Sequence, residues 1–511
     1  MVKAKTKMNN TTTKAIAIAA AALAATAAMP LKAELALVPA PQKLTELSAP
    51  AFAANNLGEV KAAIDYTKDD AIAPEGYRLS VSKDGIKVAS SDEAGRFYAF
   101  QTLRQFSRKT EGGIEVPAVE IEDAPRFRWR GVLWDDCRHF FGKEALMKCL
   151  DAMAYHKLNT LHWVLTQDQG WRIEIKKYPR LTTVAAVRPG SPKPACLNTP
   201  GTGGWQNNEI PYGPYFYSQD DIREIIKYAA ERHITIMPEI EFPGHAIAAI
   251  SAYPELGCTG EQLEPWWYRG VSEHIYCGGN DKVIKFLEDI FDEVCELFPC
   301  PVIHIGGDEA PKKIWKTCPK CQARIKELGL AGEEGLQGWM TDHFTRYLAA
   351  KGKRAIGWDE ILDGEPGTDT IVMSWRGTQG GIKAAARGND VVMTPVDPCY
   401  LDNPQGLSTD PYEYINYGFV DTLDRVYAFN PTAGIPEEQQ FHILGGQGNN
   451  WTEYTWNPSE YEWKIWPRMS ALAECLWTKP ERKDWDSFKA RITALRPRLV
   501  NELKLNCAPI E

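Results

Sequence analysis

Apolar and polar positions change their period along the chain, and each change predicts an element. Tyr77 to Ser82 and Ile86 to Ser90 alternate with period two around Asp84-Gly85, which predicts a β-hairpin. Asp92 then precedes a stretch to about Arg108 in which Phe97, Phe100, Leu103 and Phe106 recur at helical spacing, so Asp92 reads as a helix cap. Beyond residue 128 short apolar runs alternate with amphipathic stretches. The runs are Gly131–Asp135, Thr160–Leu165, Ile234–Glu239, Val302–Gly306, Ala355–Trp358, Thr370–Ser374, Asp390–Thr394 and Ile443–Gly446. Between them, Glu144–His156, Asp220–His233, Lys282–Phe298 and Leu336–Ala350 show a period near 3.6.

Strands alternating with helices, eight strands in all, predict a (β/α)8 barrel over residues 125–511. A small α/β domain over residues 34–124 is expected before it. All 17 Trp lie at or after Trp129, a composition shift that places the boundary near Asp123 to Arg128. About a dozen residues, including Gly364, Pro366 and Gly367, separate the fifth and sixth runs, so one barrel helix is expected to be missing. Thr182–Gln219 is rich in Pro and Gly and too long for a simple connection, as lids and ligand walls often are. A last helix near Asp484–Leu505 closes the barrel.

Composition narrows the function classes. Of 511 residues 44% are hydrophobic and 24% charged, an ordinary globular balance. A net charge of −9 argues against a general nucleic-acid binder, which needs a surplus of Lys and Arg. No apolar run after the first 30 residues is long enough to span a membrane. Residues 1–33 read as a signal peptide: Lys3, Lys5, Lys7 and Lys14 precede the apolar stretch Ala15–Met29, and Ala27 and Ala33 are plausible cleavage points. No Cys precedes Cys137, which excludes a lipoprotein anchor there, so a periplasmic or secreted location is expected. Twelve Cys fit an oxidising compartment. Cys318 and Cys321 form a C-x-x-C with no second His/Cys pair at zinc-site spacing, so local disulfides or loop thiols are the expectation.

A barrel enzyme builds its site at the C-terminal strand ends. Those ends carry, in order, Asp135 with Arg138-His139; Thr166-Gln167-Asp168; Glu239, Glu241 and His245; Gly306-Gly307-Asp308-Glu309; Trp358; Trp375; Tyr400 and Asp402; and Trp451 with Glu453. Nothing comparable sits at the strand starts. Gly306-Gly307 lets the backbone leave the strand in a conformation closed to residues with Cβ, so Asp308 and Glu309 can both face the axis. Crowded carboxylates push their pKa values apart, leaving one ionised and one protonated. Trp358, Trp375 and Trp451 on one rim suit the apolar face of a sugar, with Arg138, Asp402 and Glu453 as partners for hydroxyls.

The run His304-Ile305-Gly306-Gly307-Asp308-Glu309-Ala310 resembles the signature of family 20 glycoside hydrolases, the β-N-acetylhexosaminidases. Further segments resemble the family in family order: Asp135-x-x-Arg138-His139, Leu161-His162-Trp163, Asp168 to Arg172, Pro243-Gly244-His245, Trp358-Asp359-Glu360, Ser374 to Gly377, Tyr400-Leu401-Asp402 and Gly446 to Glu453. Glu75-Gly76-Tyr77 and Asp92 to Gln105 are similar to the family's small N-terminal domain. The resemblance implies an exo-acting β-N-acetylhexosaminidase that removes terminal non-reducing GlcNAc or GalNAc from an oligosaccharide or glycoconjugate with retention. Glu309 would be the general acid and then the base. The substrate's own 2-acetamido oxygen would be the nucleophile, forming an oxazolinium ion. Asp308 would hold the acetamido N–H, the three Trp would enclose that group, and Tyr400 would bond its oxygen. Arg138, Asp402 and Glu453 would hold ring hydroxyls, and His245 would support Glu309. No metal or cofactor is implied.

Three positions depart from the family pattern. Val164 replaces the second His of a His-x-His, Gln167 replaces the first of two consecutive acids, and Glu241 stands where Asp is usual. The acid at position 167 normally orients the imidazole, so Gln167 is expected to leave His245 less basic and to move the pH optimum. Other readings stay open: a lacto-N-biosidase of the same family, a non-catalytic glycan-binding protein on the same scaffold, and, weakest, a metal-dependent hydrolase using His245, His304 and Asp308.

Overall fold

A computed structural model of the chain describes residues 35–191, 193–194, 205–206, 211–267, 270–412 and 418–511. The segment read as a signal peptide lies outside the described residues, as does much of the Pro- and Gly-rich stretch after Ser191. Eight parallel strands close into a barrel: Trp129–Asp135, Thr160–Val164, Thr235–Glu239, Val302–His304, Arg354–Trp358, Ile371–Ser374, Val391–Met393 and Ile443–Gly448. Each neighbours the next in chain order, and the eighth pairs with the first through Gly445↔Trp129 to Gly448↔Val132. Their residues are buried almost throughout, because helices cover the outside and side chains fill the inside. That is why they read as apolar runs without alternation.

The covering helices include Lys143–Tyr155, Gln219–Ala230, Asp281–Leu297, Gly332–Ala350, Gln379–Arg387 and Trp485–Asn501. Ser218 and Asp221 form a capping box at the second of these. Between the fifth and sixth strands only a 3-10 segment, Asp359–Gly364, is present, so the barrel helix is missing there, as its short connection predicts. Among the described residues no helix is long and apolar enough to cross a membrane.

Residues 35–124 carry a five-stranded sheet in the order Lys43–Glu46, Val119–Asp123, Tyr77–Ser82, Gly85–Ser90, Ile64–Lys68. The hairpin at Asp84-Gly85 pairs Tyr77 with Ser90 through Ser82 with Gly85. Helix Glu93–Phe106 packs on this sheet, and Asp92 caps it by accepting the Gly95 N–H at 2.7 Å. The sheet joins the bottom of the barrel through buried charge pairs. The Arg130 guanidinium donates to both Glu75 oxygens at 2.8 and 2.9 Å, and Lys157 Nζ donates to Asp123 at 2.8 Å. Trp477 packs between them, its indole N–H donating to Asp123 at 2.8 Å. A cavity of about 850 Å³ opens at this end, lined by strand starts such as Thr160, Thr235, Val302 and Arg354. It carries no constellation of acids, so the chemistry belongs to the opposite face.

Candidate active site

The fourth strand ends at His304, and the next residues set the geometry of the site. Gly306 and Gly307 adopt φ of 68° and 102°, in the left-handed region that disfavours side chains. A Cβ on Gly306 would lie 1.9 Å from the Glu241 carboxylate, so glycine is also required by space. The turn delivers Asp308 and Glu309 side by side, with Glu309 itself at φ 45°. Such a conformation costs a non-glycine residue on the order of 1–3 kcal/mol and persists where its surroundings fix it. Here the Gly307 N–H donates to Glu241 at 2.9 Å, and Gln337 Nε2 donates to the Gly307 carbonyl at 2.6 Å.

His245 lies beneath both acids. Its Nε2 stands 3.5 Å from Asp308 Oδ2 and 3.4 Å from Glu309 Oε2. Its Nδ1 meets Asp168 Oδ2 at 2.9 Å, and the other Asp168 oxygen accepts the Ile247 N–H at 3.0 Å. Burial alone would depress the imidazole pKa. Bonds to Asp168, Asp308 and Glu309 more than offset this and raise it well above its ordinary value. The imidazolium in turn lowers Glu309 below the usual carboxylate value, against the upward push of burial. In the free site His245 therefore holds a proton beside an ionised Glu309. The side chain of Asp308 is 12% exposed and that of Glu309 40%, so Asp308 sits deep while Glu309 reaches the mouth. Asp308 Oδ1 is buried and has no hydrogen-bond partner among the described residues.

This geometry corrects the expectation built on Gln167. Its buried amide atoms have no hydrogen-bond partner among the described residues, and the acid that orients His245 is Asp168. Thr166–Gln167 pairs with Gly170–Trp171, so Asp168 occupies a hairpin turn and escapes strand alternation. With Asp168 as its orienting acid, His245 is more basic than an ordinary imidazole. Activity that needs the His245 proton falls as pH rises through its raised pKa. Asp168→Asn removes one of the bonds that raise it, so the alkaline limb of the pH–rate profile is expected to move to lower pH. Gln167→Asp is expected to leave that limb in place, and profiles of the two variants beside the parent check both statements.

A cavity of about 150 Å³ opens above the acids, lined by Arg138, Asp308, Glu309, Trp358, Trp375, Tyr400, Trp451, Glu453, Tyr454, Gly270 and Val271. Trp358 and Trp451 approach with centroids 5.8 Å apart and planes at 51°, and Trp375 stacks on Tyr400 at 6.1 Å and 19°. The aromatics therefore form walls at several angles instead of one flat platform. Arg138 lies over the Trp451 ring at 4.8 Å and is aimed by Gln169, 3.1 Å from its Nε. The Trp375 indole donates to Glu360 at 2.8 Å; burial, with Asp308 and Asp359 nearby, raises the Glu360 carboxyl to about 8. Glu453 accepts the Gly270 N–H at 3.4 Å, and burial raises its pKa.

Below the cavity floor, His162 Nε2 meets Glu239 at 2.6 Å and His304 Nδ1 lies 3.4 Å from the same oxygen. Burial works against the Glu239 charge, but His304 and His162 bring its pKa down to about 2. The Trp358 ring rests on both imidazoles, at 4.8 Å from His304 and 5.6 Å from His162. A fixed charge in the barrel core thus supports the innermost wall.

Of the residues expected from sequence, Arg138, Asp308, Glu309, Trp358, Trp375, Tyr400, Trp451 and Glu453 line one cavity. His245 and Asp402 stand one layer back. Asp402 accepts the backbone N–H of Trp451, and burial raises its carboxyl to about 7. Asp168 and Glu360 were singled out in sequence without a role, whereas Tyr454 and the Gly270-Val271 wall were not expected. Asp168 and Glu360 lie inside the motifs that carry the resemblance, but Gly270-Val271 has no local signature.

The profile "Glycosyl hydrolase family 20, catalytic domain" matches residues 127–480, and "Glycosyl hydrolase family 20, domain 2" matches residues 3–124. A β-hexosaminidase of Porphyromonas gingivalis is 42% identical over 427 residues, covering 82% of this chain and 52% of that protein. A β-hexosaminidase of Akkermansia muciniphila is 32% identical over 425 residues, covering 82% of each. The chain spans about half the length of the first relative and 64% of a Vibrio furnissii β-hexosaminidase. Among solved structures, a Vibrio harveyi GH20 exo-β-N-acetylglucosaminidase in complex with N-acetylglucosamine superposes with a TM-score of 0.82 at 30% identity, covering 93% of this chain and 78% of that one. A β-N-acetylhexosaminidase from Bacteroides fragilis gives 0.79 at 30% identity, covering 93% and 97%.

Proposed function

This chain belongs to glycosyl hydrolase family 20, and we propose that it is an exo-acting β-N-acetylhexosaminidase working by substrate-assisted catalysis with retention. The observation that carries this reading is the buried, unpartnered Asp308 Oδ1 in a cavity walled by Trp358, Trp375 and Trp451. An N-acetylhexosamine supplies what that site asks for: an amide N–H for Asp308, a methyl group for the indoles, and hydroxyls for Arg138 and Glu453.

Asp308 and Glu309 are adjacent residues that share one imidazole donor, and one carboxylate oxygen of each lies with a His245 ring nitrogen so that all three are within 4.8 Å of one another. Two carboxylates so placed cannot flank an anomeric carbon from opposite faces, as direct displacement by an enzyme nucleophile or an enzyme-activated water requires. The substrate's acetamido oxygen takes the nucleophile's place. It attacks C1 as the glycosidic bond breaks, and the leaving oxygen takes a proton through Glu309, whose supply is the His245 proton 3.4 Å away. Asp308 accepts the amide N–H and offsets the positive charge that develops on the closing ring. Glu309, now a carboxylate, takes a proton from the water that opens the oxazolinium at C1. Both displacements invert C1, so the product retains its configuration.

The segment Met1–Ala33 supports export to a periplasm or the medium, where glycans with terminal N-acetylhexosamine are accessible. p-Nitrophenyl β-glycosides of GlcNAc, GalNAc, glucose and glucosamine test the activity. Turnover is expected for the N-acetylated pair only. Equal rates on the glucoside or the free amine would remove the assisted mechanism.

A further inference from the structure

Away from the proposed active site, the fold gathers four cysteines from separate stretches of the chain, Cys258, Cys277 and the pair Cys318 and Cys321. Cys258 follows the short 3-10 turn Pro254–Leu256, and Cys277 follows the bridge between Gly257 and Tyr276. Cys318 precedes helix Pro319–Leu328, and Cys321 lies in its first turn. Cys258 is half-buried and the other three are buried. Their Sγ atoms all lie within 4.8 Å of one another, with separations of 3.8 Å for Cys258–Cys321, 3.7 Å for Cys277–Cys318 and 3.7 Å for Cys277–Cys321. A zinc ion with tetrahedral thiolate bonds of about 2.3 Å sets its sulfurs about 3.8 Å apart. Cys277 is equidistant from two partners, a relation that a pair of disulfides does not produce.

We propose that Cys258, Cys277, Cys318 and Cys321 form a closed structural site for one zinc ion. Sequence spacing points to local disulfides or loop thiols because the second pair is nineteen positions wide and only the fold brings it to the C-x-x-C. The backbone is shaped for the site. A Cβ on Gly279 would fall 2.1 Å from the Lys320 carbonyl oxygen and 2.4 Å from the Cys321 nitrogen, so the two sulfur-bearing turns touch through a glycine. The Gly279 N–H reaches the sulfurs of Cys277 and Cys321, where it offsets thiolate charge. Binding replaces four S–H bonds by four Zn–S bonds and releases the four protons to solvent. All four ligands come from the protein, so the ion keeps no open position and takes no part in hydrolysis.

Its place explains what it steadies. Cys258 and Cys277 close the base of the segment that carries Gly270 and Val271 into the sugar cavity. Tyr276, next to Cys277, donates its N–H to the Pro243 carbonyl at 3.0 Å, two residues before His245. Cys318 and Cys321 anchor the chain nine and twelve residues after Glu309. The ion ties a wall of the cavity to the segment that leaves the acid.

Elemental analysis of the full chain, purified without chelator, tests this. One zinc per chain is expected, falling to less than one tenth in Cys318→Ser/Cys321→Ser. Cobalt exchanged into the unmutated chain is expected to give thiolate charge-transfer bands and the intense visible bands of a tetrahedral site, a readout that survives any misfolding of the variant. Absence of zinc after supply of zinc under reducing conditions, zinc retained by the double variant, or disulfide-linked peptides joining these four cysteines in the native chain would each overturn the proposal.

Discussion

Glu309→Gln is expected to lower kcat on substrates with sugar leaving groups by about 10²–10⁴-fold, the usual contribution of a positioned acid–base group. On aryl glycosides with acidic phenols the loss in the first step is expected to be far smaller. The reason is the proton demand of the bond that breaks. A sugar alkoxide is too basic to depart unprotonated, whereas an activated phenolate leaves without help. In the proposed mechanism Glu309 delivers that proton. Its side chain is 40% exposed at the cavity mouth, where an aglycone must lie, while Asp308 is 12% exposed and sits deeper. It also has a proton source in the His245 Nε2–H at 3.4 Å. Glutamine keeps the size of the side chain and loses the relay. Rates measured across a series of leaving groups should therefore show a steep dependence on leaving-group acidity in the variant and a shallow one in the parent. Parallel lines would mean that Glu309 is not the acid.

The barrel was legible because its strands are buried on both faces and stand out as short apolar runs. Every one of the eight lies within two residues of its expected ends. The rim was legible for a related reason: acids and Trp at apolar strand ends have no role in the core, so their clustering on one face is informative. What sequence hid was direction and distance. Asp168 and Gln167 are neighbours, and strand alternation gives no means of knowing that a tight hairpin turns Asp168 toward His245. Gly270-Val271 enters the cavity from a connection with no periodicity of its own. The four cysteines belong to two local turns, and neither turn announces the other. In each case the missing information is a tertiary contact between irregular segments, which hydrophobic period does not encode.

Asp308→Asn tests the second half of the mechanism, and its expected cost is about 3–4 kcal/mol in kcat/KM, if the bond resembles an oxyanion-hole contact in strength. Asparagine fits the same space, so the loss is not one of packing. The amide oxygen can still face the acetamido N–H, but the negative charge beside the forming oxazolinium is gone. That charge matters more in the transition state than in the bound sugar, because the substrate amide is neutral and the closing ring is not. The loss is therefore expected in kcat more than in KM. Removing the Asp308 charge also takes one of the three carboxylates from His245, so the alkaline limb of the variant is expected at lower pH than that of the parent. Replacing the hydrogens of the substrate's acetyl group by fluorine weakens the amide oxygen as a nucleophile. The parent enzyme is expected to slow steeply with each fluorine added. A flat response would show that the amide does not attack C1, and would leave the unpartnered oxygen of Asp308 without the role assigned to it.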